Sequence, residues 1–154
     1  MSDWIGLPDI IDENKHFSII YCTINNITTK KYIGKCQLWS KITKPPLRGY
    51  KRKRKITKPS DYLNYYGSSE QLKKDLELYG RENFTRKVLD IATCKWEACY
   101  LELLHQLHNN VLNSDEYLNG IINLRIGKIP EHLKEKYKNF KLDFSFNDDT
   151  LNLK

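Results

Sequence analysis

A chain of 154 residues, 40% hydrophobic and 29% charged, is long enough for one domain and too rich in both classes to be a disordered chain. No stretch approaches the roughly 20 apolar residues that a membrane-spanning helix needs, and Met1-Ser2-Asp3-Trp4 has neither the basic start nor the apolar run of a secretory signal, so a cytoplasmic location is expected. The 26 Lys and Arg exceed the 19 Asp and Glu by seven.

Residues 1–16 read as a lead-in with a break at Pro8. Residues 17–24 are β-branched and aromatic, as a buried strand requires. Asn25-Asn26 opens a turn, and Lys31-Tyr32-Ile33-Gly34-Lys35 returns as a second strand. Residues 36–64 form an insert in which Pro45-Pro46 forbids one continuous helix and Pro59 closes the stretch; a surface insertion or broken helix is expected. Inside it stand Arg48, Lys51, Arg52, Lys53, Arg54, Lys55 and Lys58, with no acid among them. Setting those seven aside leaves 19 basic residues against 19 acidic ones, so the whole net charge sits in this run. So dense a patch is the footprint of a phosphate-backbone binder; it also reads as a solvated or targeting loop.

Ser68, with Gln71 three residues on, resembles a capping box for a helix carrying Leu72, Leu76 and Tyr79, and Gly80 stops it. Residues 84–91 suit a third strand. Thr93 then caps a second helix in which Trp96, Cys99, Tyr100, Leu103 and Leu107 form one apolar stripe, with Glu102 at its margin. A loop through Asn119-Gly120 leads to residues 121–124, and Pro130 fits the first turn of a short helix with Leu133 and Tyr137 inward. The acidic tail from residue 141 alternates at Leu142, Phe144 and Phe146, as an added strand, a partner-binding arm or a loose end. The order predicts a small α/β (α+β) domain, a short, mainly antiparallel three-stranded sheet flanked by helices over 17–127, followed by a helix and tail over 128–154.

Cys22, Cys36, Cys94 and Cys99 contain no CxxC pair, and Cys94, Cys99, His105 and His108 match no standard zinc spacing. Neither a zinc site nor a disulfide framework is expected. Phosphate-cradling glycine loops, HExxH and GxSxG are also missing. What remains is Tyr21 and Tyr32 on paired strands, the cations just beyond them, and Glu102 on a later helix. Phosphodiester hydrolysis calls for such groups: a base for water, a cation for charge growing on phosphorus, and a carboxylate for a divalent metal. Taken singly, each has a plainer reading, as a core tyrosine, an exposed helix glutamate or a turn asparagine.

Ile19-Ile20-Tyr21 followed after ten residues by Tyr32-Ile33-Gly34 resembles the paired motif of GIY-YIG nucleases. Tyr66-Gly67-Ser68-Ser69, Leu72-Lys73-Lys74 and Tyr79-Gly80-Arg81-Glu82-Asn83-Phe84 are similar to the middle of phage-type members, and Ile122-Asn123-Leu124 resembles a late Tyr-Asn-Leu segment. The resemblance implies a metal-dependent endonuclease acting on double-stranded DNA, with Mg²⁺ or Mn²⁺ held by Glu102 and products bearing 5′-phosphate and 3′-hydroxyl ends. It implies Tyr21 as general base, although a free tyrosine titrates near 10 and needs a cation or metal beside it at neutral pH. Tyr32 would bind the phosphate or its attacking water, and Asn123 would support the site.

Two departures stand out. Ile19 replaces the usual glycine, and the arginine expected about two helical turns after Gly34 is replaced by Ile42. Arg48 is the expected substitute, with Arg52, Arg54 and Lys35 as the other sources. Lys35, Lys51, Arg52, Lys53, Arg54 and Lys55 are expected to grip the DNA. A homing, restriction or host-DNA-degrading enzyme that dimerises or nicks is the first expectation. A nucleic-acid-binding module that retains the fold without catalysis is the second, and a protein-interaction domain using the basic run the third.

Overall fold

The computed structural model describes residues 4–123 and 125–140. The strands are β1 (Trp4–Ile5), β2 (Ser18–Asn25), β3 (Lys31–Gln37), β4 (Trp39–Lys44), β5 (Arg54–Pro59) and β6 (Phe84–Ala92). The helices are α1 (Glu70–Tyr79), α2 (Lys95–His108) and the short α3 (Lys134–Tyr137).

The main sheet runs in the order β1-β6-β2-β3, antiparallel except for β1, which lies parallel to β6. This is the mainly antiparallel α/β domain expected, with one strand more. The fourth strand comes from the segment read as a lead-in: Trp4–Ile5 is too short to show an alternating pattern, and it is held by Trp4, which is buried.

The continuous apolar run of β2 follows from its place between two neighbours with both faces covered. Ile20 and Cys22 face α2 with Ile33, Ala98 and Leu101. Ile19 and Tyr21 face the other way, toward Trp4, Cys36 and Leu38. The β2–β3 pairing sets Tyr21 opposite Gly34 and Thr23 opposite Tyr32. Asn25 turns the hairpin, its Oδ1 accepting from the amides of Ile27 and Thr28.

The basic insert is neither irregular nor a broken helix. Its ends pair as a two-stranded antiparallel ribbon, β4 with β5, from Trp39 opposite Pro59 to Lys44 opposite Arg54. Ile42 opposite Ile56, with Thr43 and Thr57 beside them, supply the β-branched residues that favour this form. Pro45-Pro46 lies in the loop, where a missing N–H costs no ladder bond.

Helix α1 is capped by Ser69, whose hydroxyl accepts from the Leu72 amide, and not by Ser68. Gly80 ends it at φ +80°, a conformation that favours glycine. Helix α2 starts after Cys94; Thr93 donates both its amide and its hydroxyl to Glu97 in place of the cap expected. The face α2 turns to the protein is Ala98, Leu101, Glu102 and Gln106, not the apolar stripe read from the sequence. Of that stripe, Trp96 and Tyr100 pack instead on Tyr137 and Phe140, while Leu107 is exposed. Leu133 is buried and Tyr137 donates to Glu97, as the inward pair of the short helix. The acidic tail, with Leu142, Phe144 and Phe146, lies outside the described residues, as does Leu124.

Candidate active site

The edge of β3 builds the site. Side chains alternate along a strand, so Tyr32 and Gly34 lie on one face of β3 while Ile33 and Lys35 lie on the other, toward α2. Among the described residues no further strand pairs along most of this edge, and its backbone is met by side chains. Asn119 spans the Ile33 peptide, its Oδ1 accepting from the Ile33 amide at 3.0 Å and its Nδ2 donating to the Ile33 carbonyl at 2.7 Å. Gln106 Nε2 donates to the same carbonyl at 3.2 Å.

Around this edge opens a cleft of about 490 Å³, lined on its chemical side by Tyr32, Lys35, Glu102, Gln106, Asn119 and Asn123, with Ser68 to Gln71 opposite. The Tyr32 hydroxyl lies 2.9 Å from Ser68 Oγ. Glu102 is 8% exposed, and its Oε2 accepts from the Lys35 ammonium. Lys35 already faces α2, so the cation sits beside the carboxylate within one cleft. The Gln106 Oε1 is buried with no hydrogen-bond partner among the described residues.

Two glycines make room for the tyrosines. A Cβ on Gly34 would lie 2.9 Å from Tyr32 Cε1 and 3.0 Å from the Tyr21 hydroxyl. Gly67, at φ +150°, would meet Leu72 Cδ2 at 2.5 Å and the Tyr32 ring at 3.0 Å. The Tyr66–Gly67 turn is itself fixed from below: Thr23 Oγ1 donates to the Tyr66 carbonyl at 2.6 Å, and buried Arg86 donates to the carbonyls of Leu63 and Tyr65.

The residues predicted from the sequence divide into three groups. Tyr32, Lys35, Glu102 and Asn123 meet at the cleft. Tyr21 does not: its side chain is completely buried, edge-on to Trp4 at 5.3 Å and to Tyr65 at 6.1 Å, with the Tyr65 phenol as the polar neighbour of its hydroxyl. Burial, with Tyr65 and Tyr32 beside it, pushes that phenol well above its usual pKa, the wrong direction for a base. Its role in the fold is to back the Tyr32 ring and cover Gly34.

The third group is the basic run. Arg48, Lys51, Arg52, Lys53, Arg54 and Lys55 belong to the ribbon and its loop, all are exposed, and none lines the cleft. Among the described residues Lys35 is the cation that lines the cleft, in place of the expected Arg48.

Asn119 and Gln106 were not singled out in the sequence. Asn119 reads as a turn residue before Gly120, and a glutamine inside a helix carries no signal by itself. The one visible hint is the pair Glu102 and Gln106, one helical turn apart on α2, which is buried although an amphipathic helix would turn it to water.

Glu97 forms a separate cluster at the start of α2. It is fully buried, accepts from Thr93 and from Tyr137 at 2.7 Å, and pairs with Lys136. Burial alone would raise its pKa, but the hydrogen bonds from Lys136, Thr93 and Tyr137 outweigh it and hold the carboxyl down at about 2. This cluster ties α3 to α2.

A family model described as "Putative endonuclease segE, GIY-YIG domain" matches residues 8–122. The match takes in Tyr32, Lys35, Glu102 and Asn119. No curated protein and no solved structure matches the chain.

Proposed function

The chain belongs to the GIY-YIG endonuclease family, and from that premise we propose that it hydrolyses phosphodiester bonds of double-stranded DNA at the cleft between β3 and α2. The observation that carries this reading is the convergence of one phenol, one ammonium and one carboxylate, Tyr32, Lys35 and Glu102, on a single open cleft at the paired motif.

Tyr32 is the general base in place of Tyr21, because its hydroxyl reaches the cleft and the other does not. Having passed its own proton to solvent, the Tyr32 phenolate takes a proton from the attacking water, and Ser68 holds its oxygen in place. The water oxygen bonds to phosphorus, the bond from phosphorus to the 3′ oxygen breaks, and that oxygen leaves as a hydroxyl with a proton taken from solvent water. Lys35 supplies positive charge for the crowded phosphorus and for the Tyr32 oxygen. Asn119 and Gln106 keep the β3 edge straight, which fixes the spacing of Tyr32 and Lys35. Asn123, exposed at the rim, is placed to meet the phosphate.

Among the described residues no cluster of three His, Cys, Asp or Glu side chains is present, and Glu102 is the buried carboxylate of the cleft. This donor set fits Mg²⁺ or Mn²⁺, hard ions that are satisfied by one or two carboxylates, water and substrate phosphate. Bound at Glu102, such an ion supplies Lewis-acid charge stabilisation to the scissile phosphate.

Homing, restriction and host-DNA-degrading roles all use this chemistry. The test is conversion of supercoiled plasmid to nicked or linear DNA by the chain with Mg²⁺, Mn²⁺ or EDTA. Cutting that requires the metal supports the proposal. That no arginine lines the cleft among the described residues favours a second reading, a module that binds DNA without hydrolysing it; salt-sensitive binding with no cutting under any metal would establish that reading instead.

A further inference from the structure

The cleft leaves the most highly charged element of the protein unused. Residues 39–60 carry Lys41, Lys44, Arg48, Lys51, Arg52, Lys53, Arg54, Lys55 and Lys58 and not one acid. In the described structure they form the β4–β5 ribbon, whose strands pair only with each other. Six residues a strand give a ribbon roughly 20 Å long before its loop. Its register places Lys44 and Arg54 on one face and Lys55 opposite Thr43 on the other, so both faces carry cations.

The tip has a different composition. The Tyr50 amide donates to the Leu47 carbonyl at 2.9 Å, and Gly49 takes φ +88°, which closes a tight turn over Leu47, Arg48, Gly49 and Tyr50. Gly49 stands in open space at the apex beside Arg48. Leu47 is 52% exposed and Tyr50 72% exposed, and with Arg52, Lys53 and Arg54 they surround a shallow hollow of about 320 Å³. Two large apolar side chains and an arginine thus stand out from a polycationic arm.

Charge complementarity selects a polyanion, and width selects which one. The major groove of B-form DNA, about 12 Å wide, admits a two-stranded ribbon as it stands, whereas the minor groove, about 6 Å, takes one only when the duplex is bent and the groove widened. The deep, narrow major groove of duplex RNA excludes it. Phosphate contacts carry no sequence information, so base selection falls to the side chains that lead the ribbon into the groove. Arginine presents a fork that matches guanine O6 and N7, and apolar side chains suit the thymine methyl group.

We propose that the β4–β5 ribbon enters the major groove of double-stranded DNA, with its strand cations on the flanking phosphates and Arg48, Leu47 and Tyr50 on base edges. The tip, and not the catalytic cleft, then sets which sequence is cut. This rests on the endonuclease reading and assigns its specificity element.

The test is selection of binding sites by the full chain from a randomised DNA duplex library in EDTA, followed by affinity for the enriched site and for a shuffled one. Wild type is expected to enrich a short motif. Arg48→Ala, and separately Leu47→Ser with Tyr50→Ser, lower the ratio of the two affinities about tenfold or more. Lys51→Ala with Lys53→Ala weakens both sites equally and makes the salt dependence shallower by about two phosphate contacts. The tip is exposed, so matched thermal unfolding identifies any variant that has lost its fold. The same motif and the same ratio from the tip variants, no motif from wild type, or equal binding of duplex RNA each overturn the proposal. Wild type that cuts plasmid while the tip variants keep its motif overturns the ribbon assignment alone. Wild type that neither binds nor cuts DNA overturns the endonuclease reading with it.

Discussion

The ammonium of Lys35, on the sheet's edge strand, is paired with the carboxylate of Glu102 on α2. The two residues are 67 positions apart and bring the chemistry of a strand and a helix into one cleft. Lys35 occupies the place that the sequence assigned to Arg48. It follows Gly34 directly, and the strand's alternation turns it away from the Tyr32 face and onto the helix.

Lys35→Met is therefore expected to lower plasmid cutting by about two to three orders of magnitude, the usual cost of removing one preorganised charge donor. Lys35→Arg should restore part of the rate, and Arg48→Met should not reproduce the loss in the chemical step. Single-turnover cleavage at saturating enzyme, which separates chemistry from binding, is the measurement.

The two motif tyrosines are expected to part company. Tyr32→Phe removes the hydroxyl in the cleft and should reduce the single-turnover rate at least a hundredfold with little change in melting temperature. Tyr21→Phe removes a buried hydroxyl whose polar neighbour is the Tyr65 phenol and keeps the ring that packs on Trp4, so the melting temperature should change by no more than a few degrees. Its cutting rate should fall less than tenfold. A hundredfold loss from Tyr21→Phe with little loss from Tyr32→Phe would place the base on Tyr21.

Much of this arrangement can be read in the sequence. The hairpin, α1, β6 and α2 follow from β-branched runs, Gly80 and a helical period, with the cap of α1 read one residue early at Ser68 in place of Ser69. The ribbon is harder, because Pro45-Pro46 and the lysines hide two short strands whose only pattern is Ile42, Thr43, Ile56 and Thr57. The face of α2 misleads for a physical reason. Its apolar stripe serves the aromatic contact with Tyr137 and Phe140, while the face turned inward carries the polar residues the site and the Glu97 cluster need. Tyr21 and Tyr32 look equivalent as letters; only pairing and burial separate the one that backs the site from the one that lines it.

The Glu97 cluster gives a pH-dependent stability. Its folded pKa of about 2 lies below the ordinary value of 4.5, so the stabilisation is complete above about pH 4.5 and is lost as the pH falls toward 2. Glu97→Gln weakens hydrogen bonds to a charged acceptor, worth about 1.5–3 kcal/mol each before discounting the half-exposed Lys136. Thermal unfolding should show the variant several degrees lower at pH 7. That gap should close between pH 4.5 and 2, where wild type loses the same charge.

The central claim is that Glu102, with Tyr32 and Lys35, forms the catalytic centre. Its most direct test compares wild type and Glu102→Gln on supercoiled plasmid with Mg²⁺, with DNA binding measured in parallel. The account predicts metal-dependent cutting by wild type and loss of at least a hundredfold in Glu102→Gln, while the variant binds DNA with an unchanged salt dependence. Cutting by Glu102→Gln at the wild-type rate would contradict it.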